Sequence, residues 1–398
     1  MIPAASRPAP SAHRDADAPH LLALVLAGGS AMARRRLLEL HGSAERAIAA
    51  AMSAPPRPGL HDAGQHALLA RPDPVALARG LEWLARPGHR LIGWHSPDYP
   101  PLLRHAPNPP LALFVDGDPA ALWKPAVAVV GSRAPSAGGR DNAHGFARVL
   151  ARAGLAVTSG LAAGIDAAAH EAALSVADAA TVAVLGTGPD VAYPRRHAAL
   201  RDRIAASGGA VASEHPPGTP PQRSHFPSRN RIIAGLALGT LVVEAAERSG
   251  ALITARLAGE AGREVFAVPG SIHNPMARGC HRLIRDGAQL VESADEVIEA
   301  LLPAVSHLAE TLSGGLPAAP ASPSIAPPSA PAPDSSAPLE PGHQMLWDAL
   351  GFDPMPMDRL VERTGLTAAA LSSMLLLMEL DGKVAVQHGR YVRRAATG

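Results

Sequence analysis

The sequence predicts an α/β protein built on a mostly parallel β-sheet with helices on both of its faces. Between residues 125 and 302, apolar β-type runs alternate with helical patterns. Each run is continuously apolar, as expected of strands that are covered on both faces. Right-handed crossovers between such strands give a Rossmann-like sheet. The predicted strands are 127–130, 156–158, 181–185, 209–213, 240–243, 264–268 and 288–291.

Composition separates this core from flanking segments. A basic N-terminal block contains short helices punctuated by glycine, a pattern typical of SAM-like and helix-hairpin-helix modules. Near the C-terminus, three helical runs precede two short strands, which is the outline of a winged helix. The predicted segments are a disordered tail at 1–19, a SAM-like helical domain at 20–90, a connector at 91–124, the Rossmann-like domain at 125–305, a Pro/Ala/Ser-rich linker at 306–341 and a winged-helix domain at 342–398.

Charge and length limit the class of protein. The 398 residues are enough for two or three domains, and 36 basic residues against 35 acidic ones give a net charge of +1. This balance excludes a surface that is basic everywhere, although it averages over all segments. Only two of the basic residues, Lys124 and Lys383, are lysines. We interpret this arginine bias mainly as a sign of GC-rich coding DNA.

The single cysteine, Cys280, excludes an intrachain disulfide, a Cys-rich zinc module and a CxxC redox motif. It fits a reducing compartment. Its spacing to His273 and His281 is too loose for a metal site, so no metal is predicted. No apolar run approaches the ~18–20 residues of a membrane span, and the tail lacks the apolar segment of a signal peptide. We therefore expect a cytoplasmic protein without membrane contact.

Gly-rich loops follow the first two predicted strands, at the sheet edge where parallel α/β proteins bind ligands. Gly131, Ser132 and Arg133 follow the first strand. A glycine there lets backbone N–H groups approach an anion, while the hydroxyl and the guanidinium can contact phosphate. The second loop begins at Ser159, makes a compact turn and ends at an acidic residue that can cap the next helix. The candidate residues of this second loop are Ser159, Gly160, Gly164 and Asp166.

The segment from Arg195 to Arg231 is the most basic part of the core. It holds seven arginines against Asp202 and Glu214, a local charge of +5. Charge and an aromatic ring are interleaved there, as in proteins that combine phosphate contacts with base stacking. A solvated basic loop is the alternative. The candidate residues are Arg223, Phe226, Arg229, Asn230 and Arg231.

A further Gly-containing helix start follows the fifth strand. Ser249 is placed to cap that helix, and Gly250 and Thr254 follow it. No Ser-His-Asp set, carboxylate pair or metal cage accompanies these loops, so no catalytic residue is predicted. The loops together predict a binding pocket for a phosphate-bearing ligand.

Taken in order, these segments resemble the DNA-processing protein A family, known as DprA or Smf. The resemblance covers the whole central domain and extends to YPPLL at 99–103. Each piece is short, but their joint order and spacing are specific. The matching strings are GSR at 131–133, SGLAAGID at 159–166, AH at 169–170, AVLGTG at 183–188, YP at 193–194, SE at 213–214, FPSRNRIIAGL at 226–236, VVEA at 242–245, SGALITA at 249–255 and REVFAVPGS at 263–271.

The resemblance implies a cytoplasmic protein that binds single-stranded DNA during natural transformation, protects it and helps to load the RecA recombinase. It also implies a homodimer formed through the Rossmann-like domain, with no cofactor and no catalytic residue. Phe226 and the loops 159–166 and 249–255 would then wall a pocket that takes a base. The implied phosphate contacts are Arg133, Arg223, Arg229 and Arg231.

The C-terminal module differs from winged helices that bind in a groove of DNA. Its recognition helix, expected at 367–381, contains no lysine or arginine, and the module from Glu340 onward has six basic residues against seven acidic ones. A helix in a DNA groove should supply side chains to phosphates and base edges. We therefore expect this winged helix to bind protein, or the central domain of its own family, more than DNA.

Two other functions are compatible with the pattern. Rossmann-like phosphoribohydrolases cleave nucleotides with a glutamate in a PGGxGTxxE run. The corresponding segment here, around Glu244, lacks that run, and we expect Glu244 to orient backbone N–H groups or an arginine instead. The second alternative is a regulator that acts on duplex DNA through the winged helix.

Overall fold

The computed structural model describes residues 17–53, 69, 72–313, 341–350, 354–387 and 389–393. They form two compact units. The first holds the described residues up to Gly270 together with Met276–Val305, and the second holds Ser271–Pro275 and the described residues from Ser306 onward. Most of the predicted tail and most of the predicted Pro/Ala/Ser-rich linker lie outside the described residues.

Helices dominate the N-terminal segment, as expected from its sequence. The Ser30 hydroxyl accepts a hydrogen bond from the Ala33 N–H at the start of the second helix, and Gly42 ends that helix in the left-handed conformation (φ 73°). Assignment of this segment to the SAM-like class stays a prediction. The helices are α1 (Ala18–Leu26), α2 (Ala31–His41), α3 (Ala44–Ser53) and α4 (Pro74–Leu84).

Nine strands form one mixed sheet in the described part of the first unit, in the order β1-β2-β6-β5-β4-β3-β7-β8-β9. Strands β3 to β9 pair in parallel, while β1 pairs with β2 and β2 with β6 in antiparallel fashion. The strands are β1 (His89–Gly93), β2 (Ala112–Gly117), β3 (Ala126–Gly131), β4 (Ala156–Ser159), β5 (Thr181–Leu185), β6 (Ala210–Ser213), β7 (Gly239–Val243), β8 (Glu264–Ala267) and β9 (Gln289–Leu290).

The mostly parallel Rossmann-like sheet is confirmed, and each of the seven predicted strands is present within two residues of its expected bounds. The segment 91–124 is more than a connector, because β2 lies inside the sheet, between β1 and β6. Apolar side chains of α1 and α4 pack on this strand, with Leu22, Trp83 and Phe114 in one buried cluster. The N-terminal helices and the sheet therefore share a core.

Helices cover the sheet and follow its strands in sequence. Buried residues of α9 and α10 join those of β3, β5, β6 and β7 in one extended hydrophobic cluster. The helices are α5 (Pro101–Arg104), α6 (Ala137–Arg152), α7 (Ile165–Leu174), α8 (Ala198–Ala206), α9 (His225–Leu236), α10 (Gly250–Glu260), α11 (Arg278–Arg285) and α12 (Ala294–Ser313).

The C-terminal module has its own hydrophobic core, built around Leu346, Leu360, Leu371 and Leu375. Three helices and a three-stranded sheet in the order β10-β12-β11 confirm the winged helix. No single helix among the described residues is long and apolar enough to cross a membrane; α14 and α15 pass that test only as a pair, and they meet at a bend of 107°. The elements are α13 (Pro341–Leu350), β10 (Met355–Pro356), α14 (Met357–Thr364), α15 (Ala368–Leu380), β11 (Val384–Gln387) and β12 (Arg390–Arg393).

Candidate nucleic-acid interface

Two neighbouring cavities lie among the loops after β3, β4 and β5, the first at the start of α9 and the second beside α6 and α7. The first, of about 180 Å³, contains two aromatic side chains, and we call it the aromatic cavity. Its lining residues are Arg133, Gly160, Ala162, Ala163, Tyr193, Pro194, Arg196, Phe226 and Arg229. The loops therefore converge on one edge of the sheet, as the strand pattern predicts.

The aromatic cavity combines exposed ring surface with positive charge. The rings of Tyr193 and Phe226 lie 5.2 Å apart between centroids, and Tyr193 is 44% exposed. The Arg133 guanidinium carbon lies 5.7 Å from the centroid of the Phe226 ring. An unsaturated planar group can stack on such rings while an anion attached to it contacts the guanidinium.

The second cavity, of about 230 Å³, is lined by three arginines, one glutamate and small residues, and we call it the basic cavity. It shares Arg133 and Arg196 with the aromatic cavity, so these two side chains lie between the two spaces. The lining residues are Arg133, Ala134, Pro135, Arg140, Gly164, Ala167, Ala168, Glu171 and Arg196.

Hydrogen bonds to the segment after β7 hold the loop after β3 in place. Gly131 approaches β7 so closely that a Cβ atom there would lie 2.0 Å from the Val243 carbonyl oxygen. The Ser132 N–H donates to the Glu244 carbonyl oxygen at 2.7 Å. The Glu244 carboxylate accepts hydrogen bonds from the Ser136 N–H at 2.7 Å and from the Ser136 hydroxyl at 2.5 Å. Glu244 thus orients a backbone N–H, as the sequence predicts.

Ser132 is buried and does not line either cavity. Its hydroxyl oxygen accepts a hydrogen bond from the Ala134 N–H at 3.1 Å, and only 7% of the residue is exposed. The following residue, Arg133, is exposed. The role of Ser132 here is to turn the chain so that Arg133 reaches the cavities.

The loop after β4 is organised around a buried carboxylate. Asp166 accepts hydrogen bonds from the Gly160 N–H at 3.1 Å and from the Ala162 N–H at 3.3 Å. Ser159 is fully buried, and its hydroxyl donates to the Val129 carbonyl oxygen at 2.7 Å. Gly164 has a φ of 85° and lies against the Ser132 carbonyl oxygen, where a Cβ atom would come within 2.3 Å. Gly160 and Gly164 shape the cavity walls, whereas Ser159 and Asp166 support them.

Arg229 is a buried brace rather than an exposed cation. Only 4% of the residue is exposed, and its Nη1 group donates to the carbonyl oxygens of Gly160, at 2.7 Å, and Val184. Burial lowers the pKa of Arg229 to about 10, an effect that the negative charge of Asp166 opposes. Burial likewise raises the pKa of Asp166, with Arg229 acting in the opposite direction. Arg229 therefore lines part of the aromatic cavity, while its guanidinium fixes the loop after β4 through the Gly160 carbonyl oxygen.

The structure does not place Arg223 or Arg231 with the other candidates. Arg231 forms an ion pair with Glu214 at 2.5 Å, with 14% of its side chain exposed, and it interacts electrostatically with Arg35 of α2. It thus faces the N-terminal helices. Arg223 is exposed in the loop before α9 and lines neither cavity.

The candidates at the start of α10 also lie outside both cavities. Ser249 caps this helix by accepting from the Ala251 N–H at 3.3 Å, as predicted. Asn230 Nδ2 donates to the Gly250 carbonyl oxygen at 3.3 Å, and Thr254 is buried. The hydrogen bond between Asn230 and Gly250 joins α9 to α10, so these residues stabilise the packing of α9 next to the cavities rather than line them.

Sequence reasoning missed three residues of the site. Tyr193 and Arg196 follow β5 in a short polar and aromatic segment, which was recognisable as a loop at the ligand edge. Arg140 lies in the first turn of α6, and nothing in its local sequence distinguishes it from the other arginines. Only the fold brings these three side chains to the cavities.

His170 in α7 is a buried neutral residue. The Thr181 hydroxyl donates to the Val157 carbonyl oxygen at 2.7 Å, so it must accept from the His170 Nδ1–H, also at 2.7 Å. Burial lowers the pKa of His170 from 6.5 to about 3, and the positive charge of Arg229 acts in the same direction.

This burial predicts a pH-dependent free energy of unfolding. Because the unfolded chain binds a proton near pH 6.5 and the folded chain does not until about pH 3, the contribution of His170 is present above pH 6.5 and is lost as the pH falls toward 3. We expect a loss of about 2 kcal/mol between pH 7 and pH 5 from this group. Urea unfolding at both values should show a smaller loss in the His170→Asn variant. An equal loss in both proteins would contradict this explanation.

Comparison with known proteins places the chain in a family. The family model described as DNA recombination-mediator protein A matches residues 90–302. The chain belongs to this family. A second model, the DprA winged helix domain, matches residues 330–390. Both matches agree with the resemblance found in the sequence.

Individual DprA and Smf proteins are similar over much of their length. Protein Smf of Escherichia coli is 43% identical over 318 residues, which cover 80% of this chain and 81% of that protein. DNA processing protein DprA of Streptococcus pneumoniae is 48% identical over 200 residues, 50% of this chain and 70% of that protein. The X-ray structure of the latter DprA matches with a TM-score of 0.62 at 37% identity, covering 71% of this chain and 97% of that one.

Proposed function

We propose that this DprA-family chain binds single-stranded DNA at the ligand edge of its sheet. A base would occupy the aromatic cavity, stacked on Phe226 or Tyr193, while Arg133 and Arg196 contact the adjoining phosphate. The observation that carries this proposal is the pair of rings 5.2 Å apart with the Arg133 guanidinium over one of them. Aromatic platforms beside cationic groups are the usual means of holding single strands without reading their sequence.

The geometry favours a single strand over a duplex. The cavity is recessed between three loops, and a base can enter it only when it is neither paired nor stacked on its neighbours. Unpairing and unstacking a duplex costs a few kcal/mol for each base. Fluorescence anisotropy with labelled oligo-dT and with a duplex of equal length measures the difference directly. Tighter binding of the duplex would favour the winged-helix regulator instead.

Phe226→Ala is expected to lower the affinity for oligo-dT by about 1–3 kcal/mol, the usual loss when one base loses its aromatic partner. Phe226→Leu is the matched control for packing, because it fills a similar volume without a π face. We expect both variants to bind more weakly than the wild type and to keep its melting temperature within a few degrees. Wild-type affinity in Phe226→Ala would exclude stacking on Phe226, and wild-type affinity in Tyr193→Ala as well would contradict binding of a base in this cavity.

We further propose that the chain acts as a cytoplasmic recombination mediator in natural transformation, protecting the incoming strand and helping to load RecA onto it. The family description supports the role of a recombination mediator, and the names of the DprA relatives support a role in DNA processing. A homodimer formed through the Rossmann-like domain belongs to the same proposal. A mobility-shift assay with oligo-dT and limiting RecA tests it, since the chain should increase the fraction of strand carrying RecA. Sedimentation of the free chain tests the dimer.

Two observations bear on the alternatives. Both carboxylate oxygens of Glu244 accept hydrogen bonds from Ser136, which supports a structural role rather than attack on a nucleotide.

In the winged helix, α15 carries no basic residue and leaves Leu376, Leu377 and Leu380 exposed at 58%, 54% and 76%. We infer that this module binds protein rather than DNA, since an apolar helix face suits a protein partner better than a phosphate backbone.

A further inference from the structure

We propose that the basic cavity is a second subsite on the same strand, which takes the phosphate next to the nucleotide held in the aromatic cavity. This inference rests on the proposed binding of single-stranded DNA and adds Arg140 of α6 to its contacts. The ligand class is a nucleotide phosphate within a chain, because the cavity adjoins the one that takes a base.

The three guanidiniums at the basic cavity are available to a ligand. Arg133, Arg140 and Arg196 are all exposed, and within the described part of the chain none of them forms an ion pair with a carboxylate. Elsewhere in the same unit, Arg201 and Arg231 do pair with acidic side chains. The arginines that line the cavity thus differ from these two residues in having no ion-paired carboxylate among the described residues.

The walls of the two cavities indicate which part of the strand each one takes. The aromatic cavity offers rings and therefore suits a base. The basic cavity has no aromatic lining residue, and small residues such as Gly164, Ala167 and Ala168 line it. Small residues admit a phosphate close to the backbone, whereas three guanidiniums can each donate two parallel hydrogen bonds to its oxygens. Because Arg133 and Arg196 line both spaces, a strand can pass from one to the other without leaving their reach.

Glu171 sets a limit on this second subsite. Its exposed carboxylate lines the basic cavity together with the three arginines. With this carboxylate, the formal charge of the lining residues is +2 rather than +3. Because a carboxylate also repels phosphate, the cavity suits one phosphate rather than several. Neutralising Glu171 should therefore strengthen binding of the strand, which is the opposite of neutralising Arg140.

The test compares three charge changes in the full chain. Arg140→Gln should lower the affinity for oligo-dT about tenfold, as expected for one charge-assisted hydrogen bond, and reduce the log–log salt slope by ~0.7. Glu171→Gln should raise the affinity. Arg152→Gln is the control: it lies in the same helix, 12 residues further on and so about 18 Å away, beyond the ~10 Å Debye length at 0.1 M salt, and it should bind like the wild type.

A neutral linkage in the DNA locates the contact. A methylphosphonate placed at one position of an oligo-dT just long enough to bind should weaken binding to the wild type at one or two positions, and that loss should be clearly smaller in Arg140→Gln, where only Arg133 and Arg196 still contact the phosphate. Equal losses in both proteins at every position, or wild-type affinity of Arg140→Gln, would overturn the second subsite. If the wild type itself fails to bind oligo-dT, the proposed function fails instead.

Discussion

Arg133→Gln is expected to weaken binding of oligo-dT roughly tenfold to a hundredfold, more than any other substitution of an exposed residue in the site. Arg133 lines both cavities and lies over the Phe226 ring, so its loss affects the phosphate contact and the stacking platform together. One charge-assisted hydrogen bond contributes about 1.5–3 kcal/mol. The log–log salt slope should fall by ~0.7 for each phosphate contact that is lost. Anisotropy titrations at several salt concentrations measure both quantities.

The fold should survive this change, because Arg133 is exposed and forms no ion pair with another described residue. We expect the free energy of unfolding to stay within about 0.5 kcal/mol of the wild type, as for most surface substitutions. Arg152→Gln makes the same charge change at the far end of α6 and serves as the control. An unchanged affinity and an unchanged salt slope in Arg133→Gln would show that Arg133 does not contact the DNA.

Arg229→Met is expected to destabilise the first unit by about 3–5 kcal/mol, the typical cost of removing one partner from a buried pair of charges. Methionine keeps most of the side-chain volume but cannot donate to the carbonyl oxygens of Gly160 and Val184. It also removes the positive charge of Arg229, which acts more strongly than that of Arg133 on the buried carboxylate of Asp166. Urea unfolding followed by circular dichroism measures the loss.

A second variant separates charge from packing. Asp166→Asn in the Arg229→Met background should recover part of the lost stability, since it removes the buried negative charge. If Arg229→Met unfolds at the urea concentration of the wild type, then Arg229 is not the brace of the β4 loop. The sequence implied a phosphate contact at this position, and the burial of Arg229 shows why its loss should first affect folding.

The sheet could be predicted from the sequence because burial on both faces leaves a local signature. Each parallel strand is a short, continuously apolar run, and the loops at the carboxyl ends carry glycines where the chain approaches its neighbours. Gly131 is an example, since a Cβ atom there would collide with the Val243 carbonyl oxygen. Such steric requirements act within a few residues, and they are therefore visible in the sequence.

The two antiparallel strands, β1 and β2, could not be predicted from a local sequence pattern. Strand β2 pairs with β6, about 100 residues further along the chain, with Phe114 opposite Ser213. Strand β1 in turn pairs only with β2 in the described part of the sheet. Their pairing depends on tertiary contacts with the N-terminal helices, which no local pattern in a proline-rich segment indicates.

The candidate site was predicted in part. The sequence placed Arg229 and Arg231 in one pocket, yet residues two apart on a helix point about 200° away from each other. One side chain therefore reaches the sheet edge, and the other pairs with Glu214 and lies near Arg35 of α2. Conversely, Arg140 and Arg196 come from separate elements and meet only through the fold. In a chain with 36 basic residues, charge alone cannot identify which arginines bind phosphate.

The most direct test of the binding site is a photochemical crosslink. Oligo-dT that carries 5-iodouracil in place of one thymine, irradiated in complex with the chain, joins the base to an aromatic side chain that it contacts. The account predicts an adduct on Tyr193 or Phe226, identified by mass spectrometry of the digested protein and lost in Arg133→Gln under equal conditions. Adducts confined to the winged helix or to the N-terminal helices, with none on these two rings, would contradict it.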